Sequence, residues 1–76
     1  MNEKIIAKIA ELSEIDNITE ETTVEALKEG YWDSLAIISY MVFAKSELGV
    51  EFENAEILEN AQTVGEICRL TMERMK

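Results

Sequence analysis

The longest apolar run of the chain covers residues 35–44, is interrupted only by Ser39, and predicts a helix. Asp33 is suited to cap the start of this helix, and Gly49 is suited to end it in a left-handed conformation, so the predicted helix spans about residues 34–48. The chain has no proline and only three glycines, which favours helices joined by few tight turns. The run is too short to cross a membrane, because a transmembrane helix needs roughly 18 or more apolar residues.

Further helices are predicted on both sides of this run. Apolar residues at helical spacing predict a first helix over about residues 3–13. One or two helical turns are expected within residues 54–59, and Thr63-Val64-Gly65-Glu66 has the capping-box spacing that starts a last helix. The predicted fold class is therefore all-α: a small four-helix bundle of three main helices and one short helix, in one domain spanning residues 1–76.

A long polar connection, residues 14–33, joins the first two main helices. Within it, Thr22-Thr23-Val24-Glu25 fits a capping box, so a short helical turn is expected after Thr22. Unstructured loops of this length are uncommon in compact domains and are often functional. This connection leads directly to Ser34.

The chain carries a formal net charge of −9. Such a surface repels phosphate backbones and anionic lipids, so neither nucleic acid nor a membrane is expected as a partner. It suits partners with lysine and arginine patches, although the same charge is also explained by solubility alone.

The sequence gives little support for a catalytic site or a metal site. The chain has no histidine, so it contains no Ser-His or Cys-His pair, and one cysteine cannot build a four-ligand zinc site. We therefore expect no catalytic residue, no metal site and no enzyme. A single cysteine, Cys68, and a first segment without a signal-peptide pattern predict a cytoplasmic protein, and we expect a monomer. Cys68 is expected to be a buried small apolar residue rather than a reactive thiol.

Ser34 carries most of the functional information. Its hydroxyl lies at the predicted positive end of a helix, where a phosphate is favoured. The alternative is that Ser34 only satisfies unpaired N–H groups of the first helical turn.

Three segments of the chain together resemble one family. Asp33-Ser34-Leu35 at the start of the second helix resembles the attachment motif of the acyl carrier proteins. Glu47-Leu48-Gly49-Val50-Glu51-Phe52 is similar to the family's helix-ending segment, and Thr63-Val64-Gly65-Glu66-Ile67 resembles its start of the last helix. Trp32 before the acid is similar to a variant found in stand-alone carriers of specialised pathways. The resemblance extends over nearly the whole chain.

The resemblance implies a function for Ser34. A phosphopantetheinyl transferase would use coenzyme A to attach 4'-phosphopantetheine to its hydroxyl, and acyl or aminoacyl groups would then be carried on the arm as thioesters. Asp33 and Leu35 complete the cofactor-binding motif, and Asp33 would also help the transferase to recognise the site. The other implied partners are enzymes that load and transfer the acyl or aminoacyl group.

A docking surface is predicted on the second helix, on the face opposite the core. A helical wheel places Ile37, Tyr40, Met41, Ala44 and Leu48 on the core face, with Ile38 at its edge. The predicted docking residues are Ala36, Ser39, Val42, Phe43, Ser46 and Glu47. Burial of Val42 and Phe43 under the long connection is an equally weighted alternative.

This face departs from the pattern of many fatty-acid-synthesis carriers. Positions that are acidic in those carriers hold Ala36, Ser39, Lys45 and Ser46 here, and only Glu47 keeps the acid. Docking by charge is then weaker, which predicts a dedicated carrier in a specialised pathway that uses more apolar contacts.

Two further expectations concern the interior. The four methionines are predicted to pack in the core, and so is Trp32, for which a contact to the arm is the alternative. A cargo pocket is expected between the second and the short third helix. Its candidate walls are Ile38, Met41, Phe52, Ile57 and Ile67.

Two other classes of function remain open from the sequence. The chain could be a helical interaction module in which Ser34 is never modified. It could also be a small regulatory subunit that holds a partner enzyme through its acidic surface.

Overall fold

The computed structural model describes residues 2–75, and these residues form helices and connections without a strand. The α-helices are α1 (Asn2–Ser13), α2 (Val24–Leu27), α3 (Ser34–Phe43), α4 (Glu56–Glu59) and α5 (Val64–Glu73), and a π-helical turn (Ala44–Leu48) continues α3. The all-α prediction is confirmed, with α1, α3 and α5 as the main helices. No helix within residues 2–75 combines the length and the apolar character that a membrane span requires.

The core forms where α1 packs against both α3 and α5. Tyr40 of α3 lies at its centre, fully buried, and its hydroxyl lies 2.7 Å from the Thr71 hydroxyl. Thr71 donates to the Ile67 carbonyl at 2.8 Å, so Tyr40 is the donor in the shared bond. Burial raises the pKa of Tyr40 to about 12, which keeps the phenol protonated.

The long connection is ordered by backbone hydrogen bonds to the start of α5. The Val24 N–H donates to the Gln62 carbonyl and the Val64 N–H to the Thr22 carbonyl, both at 2.8 Å. These bonds place the starts of α2 and α5 side by side. Two predicted features are confirmed: a short helix within the connection, and a cap at Thr63, whose hydroxyl accepts from the Glu66 N–H at 3.1 Å.

The predicted cap of α2 is wrong by one residue. Thr23, not Thr22, caps the helix, because its hydroxyl accepts from the Ala26 N–H at 3.1 Å. The Thr22 hydroxyl instead accepts from the Thr19 N–H at 2.9 Å, inside the preceding turn. The pairing with residues 62–64 decides this register.

The predicted second helix, residues 34–48, also differs from the structure. The α-helix ends at Phe43, and residues 44–48 form a wider π-helical turn. Gly49 then takes the predicted left-handed conformation, with φ of 68°. The Ala44 carbonyl accepts from the N–H groups of both Gly49 and Val50. This closure places Val50, fully buried, in the core.

The methionines do not all fill the core as predicted. Met41 and Met75 are half-buried against it, whereas Met72 is exposed. The buried residues of α5 are Val64, Ile67, Cys68 and Thr71, and Met72 lies beyond this stripe, towards water. Met1 lies outside the described residues.

Candidate functional site

Ser34 is the first residue of α3 and is exposed. The cap of α3 is Asp33, as predicted, because its Oδ1 accepts from the Ala36 N–H at 3.0 Å. The Ser34 hydroxyl makes no hydrogen bond to any of residues 2–75. In the structure, therefore, Asp33 and not Ser34 is the side chain that caps the first turn of α3.

The first turn of α3 is suited to an anion at Ser34. The N–H groups of Ser34 and Leu35 have no acceptor within the helix, since each lies less than four residues from its start. They carry the partial positive charge of the helix start. A phosphate on the Ser34 hydroxyl would lie close to both.

Trp32 holds the chain in place just before the site. The side chain is 1% exposed, and its ring packs edge-on against Tyr40 with centroids 6.2 Å apart. The backbone N–H of Trp32 donates to the Leu27 carbonyl at 3.3 Å, which ties the segment to the end of α2. The prediction that Trp32 packs on the core is confirmed.

A cleft of 330 Å³ lies beside Ser34. Sequence reasoning missed two charged residues in its wall, Lys28 and Glu59, which come from the end of α2 and from α4. The sequence does carry a signal for one of them, because Lys28 is the only cationic residue between Lys8 and Lys45. The residues that line the cleft are Lys28, Trp32, Asp33, Ser34, Ile37 and Glu59.

An apolar stripe is exposed along α3, starting next to Ser34. We call Leu35, Ile38 and Val42 the α3 stripe; their exposed fractions are 75%, 51% and 63%. The spacing of three and four residues places them along one side of the helix. The wheel had placed Ile38 at the edge of the core face, and the structure leaves it half in water. The stripe is the main exposed apolar surface on the described part of α3.

Four of the six predicted docking residues are exposed, whereas Ala36 is buried and Phe43 is half-buried. Ala36 is buried, with 7% of its surface exposed, and cannot present a surface to a partner. Phe43 is half-buried against α1 rather than under the long connection, with the Lys8 ammonium 5.4 Å from its ring centroid. The remaining predicted residues line a groove of 390 Å³ together with Lys8 and Leu12; they are Ser39, Val42, Ser46 and Glu47.

The predicted cargo pocket exists only in part, as an open groove of 280 Å³ between α3 and the segment before α4. Three predicted walls, Ile38, Met41 and Phe52, line it. Ile67 is fully buried in the core and is not a wall, and Ile57 is half-buried outside the groove. Apolar side chains dominate this groove, and the ion pair of Lys45 and Glu51, at 3.3 Å, lies at its edge.

Cys68 is buried on α5, as predicted, with 1% of its surface exposed. Burial raises the pKa of its thiol to about 11, so the thiolate is scarce near neutral pH. We expect the folded, unmodified protein to show no thiol reactive towards Ellman's reagent at pH 8, and one after unfolding in urea. A rapid reaction of the folded protein would contradict the buried position of Cys68.

Two buried groups, the Cys68 thiol and the Tyr40 phenol, predict a loss of stability at alkaline pH. Cys68 and Tyr40 both have folded-state pKa values above their usual 9.0 and 10.0. The unfolded chain therefore releases these protons first, so stability is fully present below about pH 9 and falls as the pH rises towards 11 and 12. Urea unfolding at pH 8 and pH 10.5 measures this, and the Cys68→Ala variant should show a weaker fall.

The cap of α3 gives another prediction. Asp33→Ala is expected to lower the free energy of unfolding by about 1 kcal/mol, because the Ala36 N–H loses its acceptor. Asp33→Asn should keep most of that stability, since asparagine is an equally good cap. Asp16→Ala, which removes an exposed acid from the connection, is the matched control. Equal losses in Asp33→Ala and Asp16→Ala, measured by urea unfolding, would show that the cap contributes nothing.

Comparison with protein-family models, curated proteins and solved structures gives no match. Function therefore has to be inferred from the residues of this chain and their geometry.

Proposed function

We propose that this protein is a carrier that holds acyl or aminoacyl groups as thioesters on a 4'-phosphopantetheine arm attached to Ser34. One observation carries the proposal: the Ser34 hydroxyl is exposed at the start of a ten-residue helix, and Asp33 already performs the capping. The hydroxyl is thus free for attachment. The resemblance of three segments of the sequence to the acyl carrier proteins supports the same function.

The local geometry suits a phosphodiester. The unpaired N–H groups of Ser34 and Leu35 favour negative charge on the attached phosphate. Because Ser34 is exposed, an arm that leaves from it extends into solvent, where enzymes can reach its thiol. A carrier also needs no catalytic group of its own, which is compatible with the absence of histidine.

The α3 stripe is the proposed docking surface for the transferase and for the enzymes that use the cargo. It begins at the residue after Ser34, so an enzyme seated on it has its active site close to the arm. Partners would gain affinity mainly by covering Leu35, Ile38 and Val42, with a smaller contribution from the acidic surface.

The docking role gives a kinetic prediction. Val42→Asp is expected to lower kcat/KM for modification by the phosphopantetheinyl transferase by about tenfold, because burial of a charge in the interface costs affinity. Met72→Asp is the matched control, since it places the same charge at an exposed apolar residue of α5. Equal rates for the two variants would show that the transferase does not dock on the α3 stripe.

The proposed pathway is specialised rather than general fatty-acid synthesis. Ser39 and Ser46 are exposed where an acidic carrier surface would be expected, so attraction to a basic enzyme surface is reduced. A binding assay against a generic ketosynthase tests this point. Tight, salt-sensitive binding would overturn the specialised role while leaving the carrier function intact.

The groove between α3 and the segment before α4 is the proposed place for small apolar cargo. Burial of an acyl chain against Met41 and Phe52 would raise the melting temperature of the acylated protein above that of the unacylated holo form. An unchanged melting temperature would mean that the cargo stays in solvent, as is expected for short or polar groups.

A thiol count tests the carrier function on folded protein. Because Cys68 is buried, the only thiol reactive at pH 8 should be the one at the end of the arm. After incubation with coenzyme A and a promiscuous transferase, and removal of excess coenzyme A, wild type should show one reactive thiol. Ser34→Ala, treated identically, should show none. No new thiol on folded wild type would overturn the proposal.

An interaction module is the second candidate function, and the exposed α3 stripe is the observation in its favour. In that case the stripe would bind a partner while Ser34 stays unmodified. The thiol count separates the two functions, since only a carrier gains the arm.

A further inference from the structure

Lys28 differs from the other cationic residues that the structure describes. Each of the others has a carboxylate oxygen within 4.0 Å, whereas Lys28 has none among residues 2–75. An unpaired cation is unexpected on a chain with 16 acidic and 7 basic residues. The paired residues are Lys4, Lys8, Lys45, Arg69 and Arg74.

The position of Lys28 is equally informative. It is exposed and lines the cleft that also contains Ser34 and the first turn of α3. The other charged residues of the cleft are Asp33 and Glu59. Asp33 directs one carboxylate oxygen to the Ala36 N–H, and its negative charge opposes an anion next to Ser34. Glu59 adds a second negative charge, and Lys28 is the cationic residue of the cleft lining that offsets one of the two.

The wall of the cleft contains a second unpaired donor. The indole Nε1–H of Trp32 is buried and has no hydrogen-bond acceptor in the structure. A buried donor without a partner is costly, and such groups in native proteins are few. Lys28 and Trp32, which both line the cleft, thus each carry a donor group without an acceptor among residues 2–75.

We propose that Lys28 binds the phosphodiester of the 4'-phosphopantetheine group on Ser34 and holds the first part of the arm in this cleft. This inference rests on the proposed function. The Lys28 ammonium supplies a charge-assisted contact to a phosphate oxygen, and the N–H groups of the first turn of α3 supply the rest of the anion site. Lys28 is therefore a positioning residue for the arm.

The test compares the unmodified and modified forms of wild type, Lys28→Met and Lys45→Met. Lys45→Met removes the same charge from an exposed lysine that pairs with Glu51 outside this cleft. Modification should raise the melting temperature of wild type and Lys45→Met by about 3 °C more than that of Lys28→Met. This difference should shrink in 0.5 M salt, as expected for a partly exposed ionic contact.

A second measurement uses wild type alone and does not depend on a variant. On modification, the Lys28 side-chain NMR signals should shift while those of Lys45 stay in place. The chain has one tryptophan, so the indole N–H signal of Trp32 gives an unambiguous report from the cleft wall.

The outcomes separate this inference from the function on which it rests. Equal increases in melting temperature for all three proteins, with no selective shift at Lys28, would overturn the role of Lys28 and leave the carrier intact. No gain of mass in the modification reaction would overturn the carrier function, and the inference with it.

Discussion

Trp32→Ala is expected to lower the free energy of unfolding by about 3–5 kcal/mol, the usual loss when a buried tryptophan is truncated. The side chain is 1% exposed and contacts the central Tyr40 ring, so its removal leaves a cavity that the short connections around it cannot fill. Native proteins have total stabilities of about 5–15 kcal/mol, so this loss is a large fraction of the total. Urea unfolding followed by circular dichroism measures the change without requiring tryptophan fluorescence.

The chain offers a close control in Tyr31, the preceding aromatic residue, which is 62% exposed. Tyr31→Ala should change the stability by less than about 0.5 kcal/mol, as is usual for exposed positions. Trp32→Phe should retain most of the ring contacts and lose the unpaired N–H, so its loss should be smaller than that of Trp32→Ala. Similar losses at residues 31 and 32 would contradict the role of Trp32 as the anchor before Ser34.

Gly30→Ala is expected to destabilise the domain by roughly 3 kcal/mol, at the upper end of the range for overpacking. A Cβ at residue 30 would clash with the Ser13 carbonyl oxygen and would lie 2.8 Å from the side chain of Ile15. That carbonyl also accepts the Tyr31 N–H at 2.9 Å, so the backbone cannot move away without breaking this bond. The end of α1 and the segment before Ser34 would therefore separate.

Glu29→Ala is the matched control for this substitution. Glu29 is the exposed neighbour of Gly30, and its truncation should leave the urea midpoint within the range of ordinary surface variants. If Gly30→Ala unfolds at the same urea concentration as Glu29→Ala, the close approach between residues 13 and 30 does not constrain the fold.

Local pattern was sufficient to predict several features of the fold. The caps at Asp33 and Thr63 and the left-handed Gly49 depend on groups within a few residues of each other, and all three are confirmed. The predicted cap of α2 is wrong by one residue, because the position at which this helix starts depends on the hydrogen bonds between residues 22–24 and 62–64. The π-helical turn accompanies the burial of Val50 in the core, a tertiary contact that no local pattern contains.

The central residue of the candidate site, Ser34, could be proposed from the sequence, whereas the residues around it were harder to predict. Ser34 follows from its place between an acidic cap and an apolar helix. The faces of α3 do not, because that helix is apolar nearly all round and its periodicity is weak; the wheel therefore placed Ala36 outside, where the structure buries it. Lys28, which follows α2, and Glu59, the last residue of α4, line the cleft with Ser34 only in the folded chain.

The intact mass of the protein after incubation with coenzyme A and a promiscuous phosphopantetheinyl transferase tests the central claim most directly. The account predicts a gain of one phosphopantetheine on wild type, none on Ser34→Ala, and an unchanged gain on Ser39→Ala, an exposed serine one and a half turns further along α3. Folded wild type that gains no mass, or a Ser34→Ala variant that still gains it, would contradict the account.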